Sequence, residues 1–413
     1  MSNAQNPFRV LSRHRNFRIF WIGQTMSLVG TWMQTMAQGW LALELSNSAF
    51  LVGLVASAGS LPIVLLSLPA GVFVDRRDKL RIVKIAQALL LLEAGALWLF
   101  TLSGHLTIGW LLFFAVTAGT ISSVEIPARQ SLFVELVGGR EDLRDAIALN
   151  SGGFNLARIV GPTIAAIVIA RLGIAWCFGL NALSYLAVLV GLFRIRLPEW
   201  ISAPTVVRPI DGLMEGVRFM RDTPTVAALM KMVTVFSVLG VPFLTLMPVV
   251  ARDRLGQGAA GYGVLLACVG IGGLAGALFL ASLGDRIRSD TLALGSYAFA
   301  AFLLLFSLVR VAAFAYPLLL AIGFAMIVNS AVSNSLLQSI TPDALRGRLM
   351  SAYSLVVVGL SQTVGAFIAG AVARLLGVQW SIGISAVIML GYAYYALSIR
   401  PELRDVGAIM AEG

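Results

Sequence analysis

A helix that crosses a bilayer needs about 20 mostly apolar residues. Twelve stretches of that kind follow one another in this chain, over residues 18–43, 50–73, 81–103, 108–130, 145–170, 174–194, 225–250, 259–283, 291–309, 312–337, 348–373 and 378–399. Only 12% of the 413 residues are charged and 58% are hydrophobic, against about 25% charged in soluble globular domains. The chain therefore reads as an all-α membrane protein with twelve transmembrane helices. No small-residue cleavage site follows the first apolar stretch, which is read as a retained span.

The net charge of +10 comes from basic residues placed on one side. With the N-terminus inside, 23 of the 30 Lys and Arg fall in cytoplasmic segments, 5 outside and 2, Arg158 and Lys231, within spans. That asymmetry puts both termini in the cytoplasm. It makes the basic charge an orientation signal and leaves no role for nucleic acid. Cys177 and Cys268 lie in apolar runs and His14 and His105 stand alone, so neither a disulfide framework, a metal site nor a cofactor is expected.

The longest polar break, residues 194–224, divides the chain into halves expected to be six-helix bundles, 1–193 and 225–400, followed by a cytoplasmic tail at 401–413. Within the break, "IDGLMEGVRFM" reads equally as a short amphipathic helix or a plain tether. Weak echoes link the halves. "GVFVDRR" recurs as "ASLGDRI", aligning Asp75-Arg76 with Asp285-Arg286, 210 residues on. "EDLRDAI" recurs as "DALRGRL", 202 residues on, and "VGPTIAAIVIARLG" as "VGAFIAGAVARLLG". Duplication of this kind marks transporter folds whose substrate site lies near the midplane between repeats.

On these residues the chain resembles the major facilitator superfamily along essentially its whole length. Gly71, Asp75, Arg76, Arg77 and Lys79 match the signature loop between spans two and three, with Asp78 where that signature has a second Gly. Gly71 is expected to allow close helix approach, and Asp75 to face the positive end of a neighbouring helix. Gly161-Pro162, flanked by Ala148, Ala157, Ala165 and Ala166, falls on the spacing of the span-five antiporter motif, and the resemblance implies a bent helix and an exporter. "PARQSLFVELVGGREDLRDAIALNS" and "SITPDALRGRLMSAYSLV" are similar to the branch of siderophore exporters and macrolide efflux pumps, the transmembrane secretion effectors. The basic residue usual in span four of proton-coupled drug exporters is missing before Arg129.

A charge at the centre of a span costs about 2.5–3.5 kcal/mol, so each one is a functional candidate. Glu93, Glu125 and Arg158 are such charges, and Arg129 stands four residues from Glu125 on the same helix face. A network of Glu125, Arg129 and Arg158 is expected, either titrating during transport or serving as a static bridge; Glu93 is read as a proton carrier or a structural acid. Gln24, Thr31, Gln34 and Gln38 share one face of span one. Thr234 in span seven and Asn329, Ser330, Asn334 and Gln338 in span ten repeat the theme. The resemblance places spans one, four, seven and ten around a central cavity, which makes these residues substrate contacts, with helix–helix bonding the alternative.

Together these features point to a secondary transporter of the inner membrane, working as a monomer by alternating access and exporting a hydrophobic or amphipathic compound against protons. The competing transport reading is lipid or lysophospholipid movement without obligatory proton coupling. No nucleophile or acid–base cluster recommends an enzyme, and no P-loop supplies ATP energy.

Overall fold

The computed structural model describes residues 8–137, 140–197, 209–283 and 291–399, and among them all regular structure is helical, with no strand. Asp285, Arg286 and the 401–413 tail lie outside the described residues. A short helix α1 (Arg9–Arg13) leads into α2 (Arg15–Ser46), α3 (Ala49–Asp75), α4 (Lys79–Leu102), α5 (Ile108–Val137), α6 (Arg140–Leu172) and α7 (Ala175–Arg194). Then follow α8 (Pro209–Asp222), α9 (Pro224–Val235), α10 (Met247–Val249), α11 (Ala259–Leu283), α12 (Thr291–Leu308), α13 (Ala312–Ile340), α14 (Asp343–Ser354), α15 (Ala366–Leu376) and α16 (Val378–Ile399). Part of the polar break thus folds as the helix α8.

Among the described residues, eleven helical stretches are long and apolar enough to cross a membrane. They begin at Ala49–Asp75 and end at Val378–Ile399, and their bounds follow the sequence-based spans within a few residues. Helix α2 is the exception. Its 32 residues are ample in length, but Gln24, Gln34 and Gln38 dilute its apolar content. Large apolar side chains stand outward along the helices, with Leu92 67% and Phe193 71% exposed. That is the arrangement expected where lipid rather than water is the solvent.

The chain forms two compact units. Residues 1–41 and 61–206 make the first, and residues 42–60 and 207–413 the second. In the first, Phe17, Phe20, Val83, Leu132, Phe133 and Leu192 close an apolar cluster, with the Phe17 and Phe133 rings edge to face at 5.3 Å. Helix α6 runs unbroken through Gly161-Pro162, so the expected bend does not interrupt it. Its small residues meet α2 instead. A Cβ at Gly161 would lie 2.5 Å from the Trp32 Cβ, and one at Gly153 would lie 2.9 Å from the Thr25 Oγ1. Ala157 and Ala165, on the same four-residue repeat, are fully buried. Small residues at this spacing let two helices approach closely.

The signature loop departs from expectation at Gly71. A Cβ there meets nothing within 4 Å; the tight contact of α3 is at Gly53, where a Cβ would lie 2.5 Å from the Ala366 carbonyl oxygen. Asp75 is exposed and touches no helix N-terminus among the described residues. The helix-capping acid is its neighbour: Asp78 is the N-cap of α4 and accepts from the Arg81 amide at 3.2 Å. Asp78 therefore gains a capping role in the place of the usual glycine. Arg77 lies over the Phe73 ring and Lys79 pairs with Glu135 at 3.4 Å.

In the second unit, a π-helical stretch at Leu355–Gly365 packs on another at Phe236–Gly240, for a Cβ at Gly365 would lie 2.5 Å from the Val238 carbonyl. Helix α8 is tied to α14 by an ion pair between Glu215 and Arg348. The repeat seen in sequence has a backbone counterpart. Gly173 after α6 and Gly377 after α15 end the echoed segments, and both take left-handed φ values, +90° and +94°, which glycine adopts without strain.

Two outcomes follow from this packing. Gly161→Val should destabilise the detergent-solubilised protein by about 1–3 kcal/mol through overpacking against α2, read as a lowered melting temperature, whereas Gly71→Ala should leave it unchanged. Asp142, in the first turn of α6, accepts from His14 at 2.9 Å and pairs with Arg13 at 3.1 Å. The His14 bond first, and then Arg13, hold its carboxyl below the usual Asp range. Its contribution to stability is present above the unfolded-state value of about 3.9 and is lost as pH falls through the lower folded value. Asp142→Asn should therefore melt below the parent at pH 7, and the gap should close below about pH 4.

Candidate functional site

The first unit gathers the membrane-depth acids into two bonded sets. Glu93 in α4 is 5% exposed, Gln34 in α2 is 6% and Asn181 in α7 is fully buried. Gln34 Nε2 donates to both carboxylate oxygens of Glu93, at 3.3 and 3.2 Å. Asn181 Nδ2 donates to Gln34 Oε1 at 2.7 Å, and Ser184 Oγ donates to Asn181 Oδ1 at 3.1 Å. The chain of bonds leads from α7 through α2 to the carboxylate on α4. Beside it, Thr31 Oγ1 and Tyr185 Oη lie 3.3 Å apart. The sequence permits the arrangement because one polar side chain in each of three apolar helices falls on the face turned to the other two. In hydrocarbon such groups must find each other.

The second set centres on Glu125. Arg129 Nε donates to its Oε1 at 2.9 Å, one helical turn away, and Gln87 Nε2 donates to the same oxygen at 3.2 Å from α4. Arg158 is not brought to this pair. It is half-buried on α6 and, among the described residues, makes no ion pair. Arg129 is close enough along α5 to occupy the carboxylate, and the expected three-membered network reduces to Glu125, Arg129 and Gln87.

The stripe on α2 divides. Gln34 belongs to the Glu93 chain, Thr31 also donates to the Ser27 carbonyl, and the buried Gln24 Oε1 and Gln38 Nε2 have no partner among the described residues. In the second unit, Asn329 Nδ2 donates to Ser296 Oγ at 2.7 Å, tying α13 to α12. Thr234 Oγ1 donates to the Met230 carbonyl in its own helix. Gln338 donates to Asn334 one turn earlier, and both line a cavity of about 410 Å³. Sequence reasoning missed Gln87, Asn181, Tyr185 and Tyr353. Gln87 and Asn181 carried a signal, since an amide within an apolar span needs a partner; the two tyrosines carried none.

Residues 5–411 match the family described as transmembrane secretion effector. The chain belongs to that family, a branch of the major facilitator superfamily. Its relatives include the enterobactin exporter EntS of Shigella flexneri, 25% identical over 96% of this chain and 94% of that protein. Another is the multidrug efflux pump Tap of Mycolicibacterium fortuitum, 27% identical over 91% and 93%. In fold, the chain is similar to a crystal structure of a peptide transporter POT, with a TM-score of 0.75 at 13% identity over 99% of this chain and all of that one. The secretion effector fold thus houses the two carboxylate sets.

Removing one member of the Glu93 chain exposes its energetics. Gln34→Leu deletes the donor to Glu93 and the acceptor of Asn181, and should cost about 1–3 kcal/mol because it leaves buried polar groups without their partner. The loss should shrink when Glu93→Gln is added, as a double-mutant cycle of detergent melting would report.

Proposed function

We propose that the chain is an exporter of amphipathic compounds that works by alternating access and is driven by inward proton flow. In this reading twelve helices form two six-helix bundles, α2 being the twelfth, with both termini in the cytoplasm and the inner membrane of a bacterium as the setting. The observation that carries it is the pair of carboxylates at membrane depth, Glu93 and Glu125, each bonded to an amide on another helix. A carboxylate is a group whose charge can change, and its amide partners tie that change to helix contacts. Glu93 has amide and no cationic partner among the described residues, so it joins Glu125 as a coupling residue, and Arg129 tunes Glu125.

Direction and cargo are inferred from the relatives, which are named for export of enterobactin and of multiple drugs. One proton crossing with a membrane potential of 100 mV supplies about 2.3 kcal/mol, enough for a gradient of roughly fifty-fold. Small polar amides among apolar walls suit a large amphipathic molecule, and Gln24 and Gln38 supply unpartnered atoms for it.

The test is proton movement in proteoliposomes bearing a pH difference, challenged with siderophores, macrolides, cationic dyes and lysolipids. One class of compound should trigger proton flux, and Glu93→Gln or Glu125→Gln should cut it at least tenfold while leaving the protein folded. Transport indifferent to the pH gradient and to both substitutions would overturn proton coupling and favour unlinked lipid or solute movement.

A further inference from the structure

Gln87 of α4 is 1% exposed, and the two ends of its amide are unequally served. Nε2 donates to Glu125 Oε1 at 3.2 Å. Oε1 lies fully buried and has no donor among the described residues. Glu125, 5% exposed on α5, is unequal in the same way. Gln87 and Arg129, the latter at 2.9 Å, both donate to its Oε1, and neither donates to Oε2. The amide beside Glu93 differs at this point. Gln34 Oε1 accepts from Asn181 Nδ2 at 2.7 Å, while Gln34 Nε2 reaches both oxygens of the carboxylate.

An ionised carboxylate is an acceptor only, so it meets the nitrogen of an amide and offers nothing to the amide oxygen. A buried acceptor left in that condition keeps the cost of its lost hydration. Protonation changes the count, because a carboxyl group has one O–H to donate. The terminal torsions of Glu and Gln are broad and roughly two-fold. The two planar groups can therefore align as a ring of two bonds, Gln87 Nε2 to Glu125 Oε1 as now and Glu125 Oε2–H to Gln87 Oε1. Arg129 acts the other way, since its cation bonds the ionised form more strongly. The remaining charged and titratable groups nearby are engaged elsewhere or unpaired. Lys84 of α4 lies over the Phe193 ring, and Glu93 is held by Gln34. Tyr185 of α7 is within electrostatic reach of both carboxylates, with its Oη beside Thr31. Arg158 of α6 makes no ion pair among the described residues.

Resting on the proton-coupled reading above, we propose that Gln87 is a positioning residue that holds the proton on Glu125. The proton adds to Glu125 Oε2, and the new O–H donates to Gln87 Oε1. No other bond forms or breaks, and Arg129 keeps its charge. Gln87 and Arg129 thus act on the occupancy of one carboxyl from opposite sides. The pair joins α4 to α5 by two bonds in the protonated form and by one in the ionised form.

Infrared difference spectra between acid and alkaline pH test it on the full-length protein in liposomes, with no cargo present. The carboxyl stretch that Glu125→Gln abolishes belongs to Glu125. In Gln87→Met, which keeps the length of the side chain and removes the amide, that band should rise in frequency, as a carboxyl stretch does on losing a hydrogen-bond partner. A second reading needs no variant at Gln87. In the parent with isotope-labelled glutamine, a side-chain amide stretch should fall in frequency on acidification, and this shift should vanish in Glu125→Gln. In proton-linked flux, Gln87→Met and Arg129→Gln should displace the pH midpoint to opposite sides of the parent's, each by about one unit, a tenfold change in proton affinity. The proposal is overturned by a Glu125 band at one frequency in parent and Gln87→Met, or by no protonated Glu125 band at any pH. An amide stretch indifferent to acid, or midpoints displaced to the same side, also overturns it. The spectra stand apart from transport. Both band shifts in a protein without proton-linked transport remove the exporter reading and keep the pairing; proton-linked transport abolished by Glu125→Gln, with bands indifferent to Gln87, does the reverse.

Discussion

Everything in this molecule follows from having hydrocarbon as its solvent. With no water at membrane depth, each backbone N–H and C=O has to be bonded within its own helix, and each polar side chain has to find a partner on a neighbouring one. The apolar effect, which would drive helices together in water, is weak between helices already bathed in lipid. Close fit and side-chain bonds take its place. The seam of Gly153, Ala157, Gly161 and Ala165 supplies fit between α6 and α2, and the Ser184–Asn181–Gln34–Glu93 chain supplies bonds among α7, α2 and α4.

The same constraint turns the two acids into chemistry. Glu125 has a cation one turn away and an amide across the helix gap; Glu93 has the one amide of Gln34 and no cation among the described residues. Two carboxylates in one unit are thus held by different partners. Glu93 shares Gln34 with Asn181, so one amide links the carboxylate on α4 to both α2 and α7. Arg158, lacking an ion-pair partner among the described residues, stands outside this circuit.

Much of the fold was legible because its determinants are one-dimensional. The length of an apolar run sets a span, and Gly173 and Gly377 mark its end in both repeats. Site geometry was legible where partners are near in sequence, as for Glu125 and Arg129 at one helical turn. It was not where the choice of partner is tertiary. Nothing in the chain says that Glu93 meets Gln34 rather than Arg158, or that Asn329 ties α13 to α12 rather than facing a cavity. The signature loop shows the reverse error: its glycine suggests a tight contact that the fold places at Gly53, and its irregular residue, Asp78, proves to be a helix cap.

The glutamines of α2 also bear on how the chain enters the membrane. Among the described residues, this long helix falls short of the apolar content shared by the eleven candidate spans. Its Gln34 finds an acceptor 59 residues later, on α4, and a donor 147 residues later, on α7. Without α4 and α7, the Gln34 amide has neither of these partners. In a solvent that offers no hydrogen bonds, the seating of this helix is tied to the folding of the first unit around it.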